Sequence, residues 1–165
     1  MRTILRKRSL SAQCENRIGV FNMTSSDAVK LQESGHKDLI HGRMLVTFLR
    51  PDGILQVDVK EGAEFHLEDA KESIKAQKIL VRGKKRPLLV NLAGVRSMSR
   101  EAREYLGGAE AAENVSVVAI VISSFMARMI GNFFIGLNKT LYPTRLFNSQ
   151  QDALAWLKEP AQWVA

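Results

Sequence analysis

The segment Val90 to Arg103, VNLAGVRSMSREAR, places Arg96, Ser97, Ser99, Arg100 and Arg103 within one short stretch. Hydroxyls set among guanidiniums at the end of an apolar run raise the question of whether this turn is a site or only a corner. The structural alternative is a helix start. Ser99 would then be the N-cap, its oxygen accepting a free amide, with Glu101 at the positive helix end and Met98 as a core anchor.

Other chemistry has little to work with. His36, His41 and His66 share no metal-ligand spacing, and Cys14 stands alone, so a zinc or Cys-His site is not expected. His66 precedes a helix and reads as a surface or capping residue. No glycine pattern forms a phosphate-cradling loop, and no nucleophile elbow is present. Asp58, Glu61 and Glu64 fall on a strand end and a turn, where no apolar surround is expected to raise a pKa. We therefore expect no catalytic residue, no cofactor and no metal. Arg82-Gly83-Lys84-Lys85-Arg86 is the densest cationic run, and its position between a helix and a strand suits a solvated loop. No aromatic residues alternate with those cations, which argues against single-stranded nucleic acid.

The formal charge is +7, with seven Lys/Arg against four Asp/Glu in residues 1–42 and seventeen against thirteen in residues 43–165. The second part is only mildly basic. Its cations alternate with acids, as in Lys71-Glu72 and Arg100-Glu101-Ala102-Arg103-Glu104, the pattern of a solvated helix face rather than of a nucleic-acid groove. No run of apolar residues is long enough for a membrane span, and MRTILRKRSLSAQ lacks the apolar stretch of a secretory signal, so a cytoplasmic protein is expected. The single cysteine agrees with a reducing compartment.

These residues need elements to hold them. Residues 1–42 show no sustained period and read as a disordered or weakly ordered basic extension, with Met23 and Met44 as further candidate starts of translation. Residues 43–165 form the expected domain. Met44 to Leu49 and Ile54 to Val59 flank Arg50-Pro51-Asp52-Gly53, a hairpin turned by Asp-Gly, with Gln56 and Asp58 on a wet face. Leu67, Ala70 and Ile74 recur at helical spacing. Pro87 opens a strand over Leu88 to Leu92. A second helix carries Met98, Ala102, Tyr105, Leu106 and Ala109, weakened at Gly107-Gly108. Val115 to Ile122, apolar at almost every position, is a strand buried on both faces. A third helix, Phe125 to Asn138, bears Met126, Met129, Ile130, Phe133, Phe134 and Leu137 on one stripe. Thr144 to Phe147 is the last strand, and Ser149 with Asp152 caps a final helix that Pro160 ends. This order predicts an α/β fold: a mostly parallel sheet with an N-terminal β-hairpin, covered by about four helices.

The strand-turn-helix NLAGVRSMSREA resembles the corresponding segment of STAS domains, the fold of bacterial anti-sigma-factor antagonists. There, a strand and turn lead to Asp-Ser-Ser-Gly at a helix start, and the first serine is a phosphorylation switch for partner binding. Asn91-Leu92-Ala93-Gly94-Val95 matches the first part, while Ser99 stands at the motif aspartate, Arg100 at the phosphoserine and Ser97 two positions early. DGILQVDVKEGAEFHLEDAKE and IGNFFIGLNKTLYPTRLFNSQQDALAWLKE extend the likeness to a group of small uncharacterised bacterial STAS/SEC14-like proteins, over residues 43–159. The resemblance implies a non-enzymatic regulatory module with a protein partner docking at Arg96, Ser97, Ser99, Arg100 and Arg103, and, as a variant of it, a phosphorylation switch at Ser97 or Ser99. A carrier or sensor of a small apolar or lipid-like ligand is the alternative, motivated by the Met- and Phe-rich third helix. A homodimer through that helix is a further arrangement to test.

Overall fold

The computed structural model describes residues 38–123 and 141–163. The sheet begins with β1, Leu39–His41, ahead of the expected domain start at Arg43, and continues with β2, Leu45–Leu49, and β3, Leu55–Val59. The β2–β3 turn is the one expected from Asp-Gly. Gly53 adopts φ +82°, and Arg50 N donates to Ile54 O at 2.9 Å to close the hairpin. A short β4, Glu64–Phe65, leads into α1, Leu67–Val81. That helix starts where Asp69 accepts a hydrogen bond from His66 N at 2.8 Å, and it stops where Arg82 and Gly83 take positive φ.

Then follow β5, Arg86–Asn91; β6, Ser97–Met98; α2, Arg100–Leu106; α3, Ala109–Ala112; and β7, Val115–Val121. The helix expected to weaken at Gly107-Gly108 is broken there into α2 and α3. The expected helix Phe125 to Asn138 lies outside the described residues. After it come β8, Thr144–Phe147, α4, Gln150–Leu157, and a 3-10 turn at Pro160–Gln162. Ser149 caps α4: its oxygen accepts from Asp152 N at 3.2 Å and its hydroxyl donates to Asp152 Oδ2 at 2.7 Å.

The main sheet has the order β1-β2-β3-β5-β7-β8. The β1–β2 and β2–β3 pairs are antiparallel, and β3–β5, β5–β7 and β7–β8 are parallel. This is the α/β arrangement the sequence predicts. On one face, Leu55, Val57, Leu88 and Val118 pack with Ala70 and Leu80 of α1 and Ala102 of α2. On the other, Leu89, Val117, Ala119 and Val121 pack with Ala153, Trp156 and Leu157 of α4. Both faces of β7 are thus covered, which is why its sequence is apolar without alternation. Each fully buried side chain here, such as Leu55 or Leu89, contributes about 1.5–3 kcal/mol of gross stabilisation.

One face expected to be wet is not. Gln56 is buried and Asp58 is half-buried. Arg50 Nη1 donates to Gln56 Oε1 at 3.0 Å, and Gln56 Nε2 donates to both Asp58 oxygens at 3.0 Å. Hydrogen-bonded polar groups tolerate burial, so the alternation of apolar and polar residues in β3 does not report exposure. Burial raises the Asp58 carboxyl above its ordinary value, against the hydrogen bonds from Gln56 and Asn91. This corrects the expectation that no surround perturbs that carboxylate.

Candidate functional site

β5 ends at Asn91 on the carboxyl edge of the parallel strands, where ligands and partners of open α/β sheets commonly sit. Asn91 Oδ1 accepts from Ala93 N at 3.1 Å and starts the turn, and Val95 N donates to Leu92 O at 3.1 Å to close it. Leu92, Val95 and Met98 are buried in the core cluster, so every third residue is an anchor. Ala93 and Arg96 lie between the anchors and Arg100 just after the last, and all three are exposed.

Main-chain bonds fix this turn against the segment before α1. Gly62 N donates to Gly94 O at 2.7 Å, Arg96 N to Ala63 O at 2.9 Å, and Ser99 N to Phe65 O at 2.9 Å. The last of these extends a two-stranded parallel sheet of β4 and β6, with Glu64 opposite Ser97 and Phe65 opposite Met98. The turn is a ledge bonded along its length rather than a free loop. Strands of two residues leave too little pattern to be read from sequence, so this small sheet is visible only in the structure.

The five candidate residues separate into three roles. Arg96 and Arg100 present their guanidiniums to solvent, with side chains 75% and 67% exposed, and touch Glu64 at 3.5 Å and Glu104 at 2.8 Å. Ser99 is the N-cap of α2, and its oxygen accepts from Ala102 N at 3.2 Å. Glu101 lies in the first turn of α2. Its carboxyl is held below the usual range by a hydrogen bond to its own backbone amide first and by Ser99 second. Ser97 is half-exposed on β6. Arg103 turns inward, donating from Nη1 to Met98 O, and braces the ledge from beneath. Sequence spacing groups the three arginines, while the structure separates the brace from the two exposed cations.

Of the remaining candidates, His41 ends β1 and is exposed, and His66 precedes α1; His36 and Cys14 lie outside the described residues. Among the described residues no group of three or more His, Cys, Asp or Glu could hold a metal ion, and no helix is long and apolar enough to cross a membrane. In the cationic run Arg82 pairs with Asp38 at 2.9 Å, far in sequence from the ledge.

A family model described as a domain of unknown function, DUF7793, matches residues 47–161. The chain belongs to the DUF7793 family. No curated protein matches it. Solved structures do. An anti-sigma factor antagonist from Mycobacterium paratuberculosis aligns over 73% of this DUF7793 chain and 100% of its own, with 18% identity and a TM-score of 0.50. A DUF3478-family protein with a SpoIIAA-like fold from Shewanella loihica PV-4 aligns over 72% and 90%, with 19% identity and a TM-score of 0.45. A protein of unknown function from Arthrobacter sp. FB24 aligns over 72% and 95%, with 28% identity and a TM-score of 0.29. The DUF7793 chain has a STAS-like fold, as the strand-turn-helix resemblance implies.

Proposed function

We propose that this protein is a non-enzymatic STAS-like regulatory module that docks an acidic surface of a protein partner through the ledge from Arg96 to Arg103. The observation that carries this reading is the pair of exposed guanidiniums, Arg96 and Arg100, on a turn fixed by main-chain bonds to the β4 segment. A pre-set turn loses little conformational freedom on binding. Exposed ion pairs such as Arg96–Glu64 and Arg100–Glu104 are screened by water and add little net stability, so a partner's carboxylates can replace Glu64 and Glu104 at small loss. The structural neighbour described as an anti-sigma factor antagonist supports a regulatory role for a fold of this kind. A phosphate on Ser97 would sit beside Arg96 and strengthen or redirect the ledge's charge. Ser99, whose hydroxyl oxygen already caps α2, is the less available of the two serines.

The test is affinity purification of the whole chain from its own cells, comparing wild type with Arg96→Glu/Arg100→Glu. A stoichiometric protein partner should accompany the wild type, weaken as salt is raised, and be lost from the double variant while its circular dichroism spectrum stays native. Arg103 is left intact because it braces the ledge. A partner retained by the variant rejects this site, and no stoichiometric partner for the wild type rejects the module reading.

A further inference from the structure

A cavity of about 110 Å³ lies between α1, α2 and the sheet face that α1 covers, walled largely by aliphatic side chains such as Leu88, Val118 and Ile120. Five polar side chains also reach its wall, and four of them are engaged. Ser73 accepts from Gln77 Nε2 at 3.1 Å, Arg103 Nη1 donates to Met98 O, Tyr142 Oη donates to Leu106 O at 2.6 Å, and Thr144 Oγ1 donates to Tyr142 O at 3.2 Å. The fifth is Gln77. It is 2% exposed, and its carbonyl Oε1 is buried without a hydrogen-bond partner.

A buried acceptor without a donor is costly, and most such groups in folded proteins are satisfied. A leucine at 77 would suit both the helix and the aliphatic wall. The sequence instead has a glutamine, with Ser73 one turn earlier in α1 holding the amide nitrogen and leaving the carbonyl unmatched.

We propose that this cavity binds a small, uncharged, mostly apolar molecule that donates one hydrogen bond to Gln77 Oε1. Size sets the class. A cavity of about 150 Å³ accommodates benzene, with six heavy atoms, so one of about 110 Å³ takes roughly four. Drug-sized ligands occupy pockets of about 300 Å³ or more, which excludes nucleotides and long acyl chains. A water could satisfy Gln77 Oε1 but would leave the aliphatic wall uncontacted, which the apolar part of a ligand fills. The site is separate from the exposed guanidiniums of the ledge, and it stands or falls independently of partner docking.

Propan-2-ol and acetone, each of about four heavy atoms, are the probes; the alcohol can donate a hydrogen bond and the ketone cannot. Each is titrated into the full chain with isotope-labelled Val and Leu methyls, on wild type and on Gln77→Met. Propan-2-ol is expected to shift the Leu88 and Val118 methyl signals saturably in the wild type. Nuclear Overhauser contacts should run from its methyls to those methyls. In Gln77→Met the propan-2-ol-to-acetone affinity ratio should fall about tenfold, the worth of one hydrogen bond to a buried acceptor. Gln77→Leu serves if the methionine variant does not fold. Absence of saturable propan-2-ol binding, contacts to methyls elsewhere, or an affinity ratio unmoved by the substitution each overturns the proposal.

Discussion

Gly94 lies directly against the backbone of Glu61: a Cβ at position 94 would sit 3.0 Å from Glu61 Cα and closer still to its carboxylate. The same glycine accepts the hydrogen bond from Gly62 N at 2.7 Å, so the two turns meet main chain to main chain. Glycine is required here by close approach, since its φ is not in the left-handed region. Gly94→Ala should therefore destabilise by about 1–3 kcal/mol, the usual size of an overpacking strain. Gly107→Ala is the control, because its Cβ would meet nothing nearer than 3.6 Å. That substitution should be neutral or stabilising by about 0.4–1 kcal/mol. Urea denaturation of the two variants distinguishes them; equal midpoints would refute the close packing of the ledge.

Ser99→Ala should cost about 1 kcal/mol, because Ala102 N loses its acceptor at the start of α2. Ser99→Asp should restore most of that loss, since aspartate caps as well as serine. Ser97→Ala, on β6, should change stability by less than about 0.5 kcal/mol. Thermal melts of the three proteins give the ranking, and a loss at position 97 equal to that at 99 would remove the N-cap assignment.

Burial raises the Asp58 carboxyl, so the folded state prefers its protonated form. The sign follows from proton linkage. A raised folded pKa gives a contribution that is present at pH below the unfolded value and lost as pH rises through the folded one. Asp58→Asn, which carries no charge to desolvate, should therefore gain on the wild type as pH rises from 3 toward 7, reading the difference in unfolding free energy. A difference that is flat with pH would count against a perturbed Asp58.

Tyr142 Oη donates to Leu106 O at 2.6 Å, and burial pushes its hydroxyl up to about 12. Spectrophotometric titration should show it ionising about two pH units above an ordinary tyrosine, for which the reference is about 10. As the folded pKa is again the higher one, stability should fall as pH climbs from 10 to 12. Tyr142→Phe should remove that step and destabilise by about 1 kcal/mol at neutral pH, one hydrogen bond's net worth plus the unmet carbonyl.

The layered sheet was legible because its signals are long or chemically specific: the apolar run of β7, the Asp-Gly hairpin, the capping pair Ser149 and Asp152. Of the site, Ser99 as an N-cap and Met98 as an anchor follow from residue type and spacing alone. Arg103 does not. Whether a guanidinium reaches water or a main-chain carbonyl depends on which side of α2 meets the core, and a seven-residue helix carries too few turns to show it. The polar residues of α1 mislead for the same reason. Asp69, Ser73 and Gln77 look solvent-facing by type, yet all three are buried. Asp69 is held by Arg43 at 2.6 Å and Gln77 by Ser73, partnerships that leave no periodic trace. β1 is likewise three residues whose pairing with β2 is set by contacts, not by pattern.

Strand order in the main sheet runs in the same direction as the chain, from β1 at one edge to β8 at the other. Every strand after the first is therefore laid against one that has already been synthesised. During translation the sheet can grow outward from the hairpin, each emerging strand finding its template waiting at the open edge. A chain stalled at any point leaves a single unfinished border rather than a gap inside the sheet. Assembly of this kind limits the time for which the apolar residues of β7 are exposed to other nascent chains.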